Sequence, residues 1–477
     1  MCWCTIPENS LDKIESIQGS VLQLIMRMKG KVSYNALDVE AGVLPIKIRL
    51  KQILAQFGLK ILRKSDNNPI KSLLTKNLSR ETVSKSVTLA DKIRMAMTSY
   101  TKNKFDFYDI ESETRPDRVV QSVIETDLFL WKGLGNSSSR TERQKQLMKA
   151  TVDSFLTKID INDIIIFTDG SVINPDKHGV GKCGSGVIIY NKGIHQPPII
   201  LEKSTERSGT PYYGEIIAIK HALETCLELE TNNVKKIYIL TDCQSAVTAI
   251  TNNKASDSHQ DVINKINQKA KNLLSKNIVV QMSWVGGHSE IHGNDLADHA
   301  AKKGAIENSN PLLSQITLKH AKSMILDAAI EHWQRKWNIS ETGHHLKNIQ
   351  ANVSLGNSSK CLTNRKAQII LHQIKIGRSQ LYAQDPISRT TIQDKLCTWC
   401  RVPEDTEHYM LECAKFSKHR YDMFMNIELA LSKQNVDVRD LRKNLTFLAE
   451  NKTLSKATRE EILFSIALFL KNTKRLM

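Results

Sequence analysis

The chain has 477 residues, 40% of them hydrophobic and 25% charged, enough for about three globular domains. Sixty-seven Lys and Arg against 50 Asp and Glu give a formal net charge of +17, which favours a polyanionic partner through phosphate contacts and counterion release. No apolar run reaches the ~18–20 residues of a membrane span, the start Met1-Cys2-Trp3-Cys4 has no signal-peptide core, and nine scattered cysteines do not make a disulfide framework, so the expected place is a reducing compartment, cytosol or nucleus, with no membrane partner.

Residues 1–75 read as a helical segment. Ser10 stands as N-cap before Leu11, Ile14, Ile17, Val21, Leu24 and Ile25 at helical spacing. Pro45 opens a second helix whose apolar stripe is Ile46, Leu50, Ile53, Leu54 and Phe57. Residues 76–158 form a polar linker with short helices, and Gly133–Arg140 (GLGNSSSR) is its strongest linker signal. Residues 159–306 alternate strands and helices. Strands are expected at Ile164–Phe167, Val187–Tyr190, Ile199–Leu201, Ile237–Leu240 and Ile278–Val285, and helices at Tyr212–Leu229, Gln244–Ile250, His259–Leu274 and Asn294–Lys303. This order predicts an α/β domain, a mixed sheet with helices packed on it. Residues 307–395 read as helical, with Ile325, Ala329, Trp333 and Trp337 spaced as a packing seam. Residues 396–425 hold a Cys/His cluster, and 426–477 the C-terminal helices. There Thr458-x-x-Glu461 reads as a capping box, with Phe464, Leu468 and Phe469 docking on a neighbour.

Phosphodiester hydrolysis requires a deprotonated water, a stabilised leaving oxygen and neutralisation of the charge growing on phosphate. Two divalent ions meet all three needs, and hard cations such as Mg²⁺ take oxygen ligands from a few carboxylates. Residues 159–306 supply acids where strands end and helices begin. Asp169 ends the first strand, Glu215 opens the first helix, Asp242 ends the fourth strand, and Asp298 lies in the last helix. Ser171 and Ser245 stand at loop edges beside them. Any one of these acids alone would read as a solvated loop or a cap; the pattern of four carries the inference.

Residues 160–306 resemble a ribonuclease H domain through FTDGS (167–171), CGSGV (183–187), YGE (213–215), LTDCQSA (240–246) and WVGGHSEIHGNDLADHAAKKGA (284–305). The resemblance implies a mixed five-stranded sheet flanked by helices, and cleavage of the RNA strand of an RNA–DNA hybrid with two Mg²⁺ ions, Mn²⁺ being an alternative. It implies that Asp169, Glu215, Asp242 and Asp298 are the metal ligands, that His288 is the mobile-loop histidine, and that Gln244 and Ser171 contact substrate. Asp298 rather than Asp295 is the fourth ligand by alignment on Gly293-Asn294, and Asp295, three residues earlier, shares its helix face. Gly286 stands where Pro is common, Glu290 where Gly is common, and His299 where an acid is frequent. Gly170 and the glycines of 183–186 are expected to let the backbone approach a minor groove.

Cys397-x2-Cys400-x7-His408-x4-Cys413 has metal-ligand spacing, and three thiolates with one imidazole suit a structural tetrahedral Zn²⁺. Trp399 and Tyr409 are placed to cover this zinc-knuckle-like module or to stack on a base. With HWQRKWN (332–338) and residues 11–64, the cluster resembles parts of non-LTR retrotransposon polyproteins, but no Tyr-x-Asp-Asp polymerase motif is present. The sequence therefore reads as a truncated or domesticated element product. Its expected activity is that of an RNA–DNA hybrid endoribonuclease; the alternative is an inactive remnant that binds nucleic acid.

Overall fold

The computed structural model describes residues 7–65, 67–75, 89–101, 118–126, 141–231, 233–252, 258–307, 317–356, 362, 364–385, 391–434, 436, 442–443, 445–448 and 453–476. The GLGNSSSR linker lies outside them. Helices α1 to α5 span Glu8–Ile25, Tyr34–Ala41, Ile46–Leu62, Pro69–Thr75 and Leu89–Thr101. Strand β1 (Glu125–Thr126) and helix α6 (Glu142–Leu156) precede β2 (Ile164–Ile173), β3 (Gly181–Tyr190) and β4 (Ile199–Gly209). Then come α7 (Pro211–Glu228), β5 (Lys236–Thr241), α8 (Gln244–Thr251), α9 (Gln260–Leu274), β6 (Val279–Trp284) and α10 (His292–Glu307). Helices α11 to α15 span Leu318–Ile339, His344–Ile349, Arg365–Ile376, Ser417–Ser432 and Lys456–Thr473. Two compact units result. One takes residues 58–81 and 102–324, the other 1–57, 82–101 and 325–477.

The first unit is built on a sheet of order β1-β6-β5-β2-β3-β4. β2, β3 and β4 are antiparallel, while β5 and β6 run parallel to β2. The apolar run of β2 is continuous because both of its faces are covered. Ile164 and Ile166 face a core shared with α7, α8 and α9. Ile165 and Phe167 face α6 and α10. The sheet has six strands rather than the expected five. Glu125 and Thr126, inside the presumed linker, pair parallel with Gln281 and Met282. Asn264 and Asn267 of α9 secure the preceding backbone, with Asn267 Nδ2 donating to Val120 O and Val120 N–H donating to Asn264 Oδ1. The strand pairing is made by backbone groups, and composition carries no trace of it.

The glycines of β3 are a second correction. A Cβ at Gly184 would come 2.1 Å from Ala305 N, and one at Gly186 would come 2.0 Å from Ala297 O. Their absent side chains let α10 lie directly on the strand; they form no loop facing a groove. A Cβ at Gly170 would meet Glu215 N at 2.2 Å, so this glycine seats the start of α7 against β2.

In the second unit the Trp333 and Trp337 seam is buried, both at 2% exposure or less. Glu40 of α2 meets α13 in a buried polar cluster. Its carboxylate lies 2.6 Å from Lys375 Nζ and 2.8 Å from His372 Nδ1. Burial raises the Glu40 pKa, and Lys375 and His372 outweigh it and hold the group below its ordinary value. Two caps differ from expectation. Pro7, not Ser10, is the N-cap of α1, and Ser455, not Thr458, caps α15 by accepting from Thr458 N–H. Of the three residues expected to dock α15, Phe469 is buried, whereas Phe464 is 66% exposed.

Candidate active site

β2 does not end at Asp169, as the sequence reading has it, but runs on to Ile173. Asp169 pairs in register with Gly186, where the buried half of the strand gives way to the open half. Thr210 caps α7 by accepting from Tyr213 N–H, with Pro211 in its first turn, and this places Glu215 over β2. Asp242 is the residue after β5, and Trp284, at the end of β6, anchors its backbone by donating from Nε1 to the Asp242 carbonyl at 2.8 Å. Carboxylate oxygens of Asp169, Glu215 and Asp242 lie within 4.8 Å of one another.

Three carboxylates this close, Asp169 and Glu215 buried and Asp242 half-buried, resist ionisation. Burial, then the charge of Asp242, pushes Asp169 up to about 7. Burial and the charge of Asp169 push Glu215 well above its ordinary value, and burial raises Asp242 as well. A site whose own atoms disfavour its charged form gains most from a bound cation.

Asp298 lies outside this tight group. Its charge adds to the upward push on Asp169 and Asp242, while Lys302 Nζ holds its Oδ2 at 2.6 Å. Asp295, three residues earlier, is exposed. His288 is exposed on the loop after β6, and its charge favours ionised Asp242. This loop takes two non-glycine residues through left-handed backbone, His288 at φ 55° and Glu290 at φ 56°. Each costs roughly 1 kcal/mol relative to glycine. Gln244 is the exposed first residue of α8, and Ser171 is half-buried in β2 beyond Asp169.

Sequence reasoning missed four supporting residues. Thr241 Oγ1 donates to Glu215 Oε2 at 3.3 Å. Asn294, buried in α10, hydrogen-bonds Asp242. Gly287 abuts the Asp242 carboxylate, and Trp284 fixes its backbone. Thr241, Gly287 and Asn294 each stand beside a motif acid or histidine, but what they touch is set by tertiary approach.

The second cluster is equally compact. Ligand atoms of Cys397, Cys400, His408 and Cys413 lie within 4.8 Å of one another. Cys413 Sγ is 3.9 Å from Cys397 Sγ and 3.8 Å from Cys400 Sγ, far beyond a disulfide bond. A tetrahedron with Zn–S bonds of ~2.3 Å has an edge of about 3.8 Å. His408 is buried, neither of its ring nitrogens has a hydrogen-bond partner among the described residues, and Glu412 at 3.6 Å is too far to supply one. The donor set therefore fits zinc. Tyr409 is buried under the cluster, whereas Trp399 is 67% exposed. Cys397, Cys413 and Tyr409 share one apolar core with α13, α14 and α15.

Residues 161–306 match the RNase H family model. Human Ribonuclease H1 is 26% identical over 155 residues, an alignment covering 31% of this chain and 51% of that protein. Mouse Ribonuclease H1 is 24% identical over 162 residues, covering 31% and 52%. The chain thus spans about half the length of the curated relatives it matches. Among solved structures, LC11-RNase H1, isolated from compost by a metagenomic approach, is 18% identical with a TM-score of 0.25, covering 31% of this chain and 99% of that one. No described helix is long and apolar enough to cross a membrane. Residues 161–306 form an RNase H domain.

Proposed function

We propose that the protein is an endoribonuclease that hydrolyses the RNA strand of RNA–DNA hybrids by a two-metal mechanism. The observation that carries this reading is the convergence of Asp169, Glu215 and Asp242 within 4.8 Å, inside the residues 161–306 that match the RNase H model. The donor set, hard carboxylate oxygens whose pKa values are raised by one another, suits Mg²⁺ or Mn²⁺. Asp169, Glu215, Asp242 and Asp298 would hold the ions. Bound there, such ions supply an activated water and neutralise charge growing on the scissile phosphate. The residues of the chain do the positioning. Thr241 orients Glu215, Asn294 and Trp284 orient Asp242, and His288 stands exposed on the loop after β6. Ser171 and Gln244 lie where substrate would pass.

Cys397, Cys400, His408 and Cys413 would hold a structural zinc that braces α13 to α15. Retrotransposon origin is supported by the pairing of an RNase H domain with this cluster in one chain. The alternative, an inactive nucleic-acid-binding remnant, is opposed by the presence of every expected acid and by the supports built around them. Cleavage of a labelled hybrid with Mg²⁺, and not with chelator, tests the proposal; binding without cleavage at any Mg²⁺ or Mn²⁺ concentration favours the remnant.

A further inference from the structure

The fourth acid differs from the other three in what holds it. Asp298 Oδ2 is ion-paired with Lys302 Nζ, one helical turn on in α10, at 2.6 Å. Its charge still reaches Asp169 and Asp242. An ammonium group on one carboxylate oxygen takes up part of its lone-pair capacity and repels a divalent ion that approaches the same carboxylate. Lys303, the next residue, is tied elsewhere, to Glu202 at 3.0 Å. Lys302 is 56% exposed and Asp298 36%, so the pair is of the weak surface kind that opens readily when a stronger partner arrives.

From this geometry we infer that Lys302 is a positioning residue that competes with divalent metal for Asp298. It holds the fourth carboxylate until an ion displaces it, and so sets the metal concentration at which the four-acid site is completed. The inference rests on the ribonuclease reading above and adds a control on its metal requirement.

The test compares wild type, Lys302→Ala and Lys303→Ala in two assays. One is the Mg²⁺ dependence of hybrid cleavage. The other is Mn²⁺ binding to the full chain, followed by the electron paramagnetic resonance of free Mn²⁺. Lys302→Ala should lower the Mg²⁺ needed for half-maximal cleavage roughly threefold to tenfold and tighten the weaker Mn²⁺ site by a similar factor, with Lys303→Ala matching wild type in both. The inference is overturned if Lys302→Ala tracks wild type in both assays, or if Lys303→Ala shifts as far, which would mark a general charge effect. If no form cleaves hybrid while Lys302→Ala alone tightens Mn²⁺, the competition stands and the ribonuclease reading falls.

Discussion

A Cβ added at Gly287 would come 2.3 Å from Oδ2 of Asp242. The loop that carries His288 is therefore pressed against a carboxylate of the site, and the space it needs exists only because residue 287 has no side chain. Gly287→Ala should push the Asp242 carboxylate out of line while leaving the sheet untouched. Displacing a reacting group by about 1 Å costs on the order of 100-fold in rate. Hybrid cleavage should fall by about that factor at an unchanged melting temperature; wild-type activity in the variant would show that the contact does not position Asp242.

The same domain should carry a pH signature in its stability. Burial pushes His259 down to about 4, with its ring 4.7 Å from that of Tyr213, and burial likewise pushes His221 down to about 4. The unfolded chain takes up these protons near 6.5 and the folded one only near 4. Their contribution is therefore complete above pH 6.5 and lost as the pH falls through 6.5 towards 4. Asp169 has the opposite sign, because its folded pKa of about 7 makes its contribution grow as the pH falls from 7. Comparing wild type with His259→Asn separates the two. The advantage of wild type in melting temperature should shrink by roughly 5 °C between pH 7 and pH 4.5, and parallel melting curves would contradict the assignment.

Chelation should act on the other unit. Cys397 and Cys413 belong to the core that joins α13, α14 and α15, so metal held there contributes folding free energy. Cys400→Ser is expected to release one zinc per chain and to lower the melting of residues 325–477 by about 10 °C or more. Hybrid cleavage by residues 161–306 should survive. Purified wild-type protein free of zinc by elemental analysis would refute the assignment.

The parts legible in the sequence were those fixed by local pattern. Ile164–Phe167 reads as a strand because both faces are apolar, and Asp169, Glu215 and Asp242 stand near strand or helix ends that periodicity marks. The Cys/His spacing likewise identified four residues that the fold brings together. What escaped is set by approach through space. β1 is two residues paired through their backbone with β6, with no side-chain pattern to announce it. Gly184 and Gly186 suggested an open loop, because nothing local indicates that α10 will lie on them. Ser10 offered a cap that the chain did not use, since α1 begins one turn earlier. Lys302 pairs with Asp298 along α10, and the bearing of that pair on the site appears only when α10 is set beside the other acids.

The central claim is that Asp169, Glu215 and Asp242 assemble a metal-dependent ribonuclease site, and it is tested most directly on Asp169. A hybrid labelled on its RNA strand, incubated with Mg²⁺ and wild-type protein, should be cut, and chelator should stop the reaction. Asp169→Asn keeps the shape of the side chain and removes its charge, so it should fold as wild type does and cut at least about 1,000-fold more slowly. Hybrid cleavage by Asp169→Asn at the wild-type rate, or by wild type in chelator, would contradict the account.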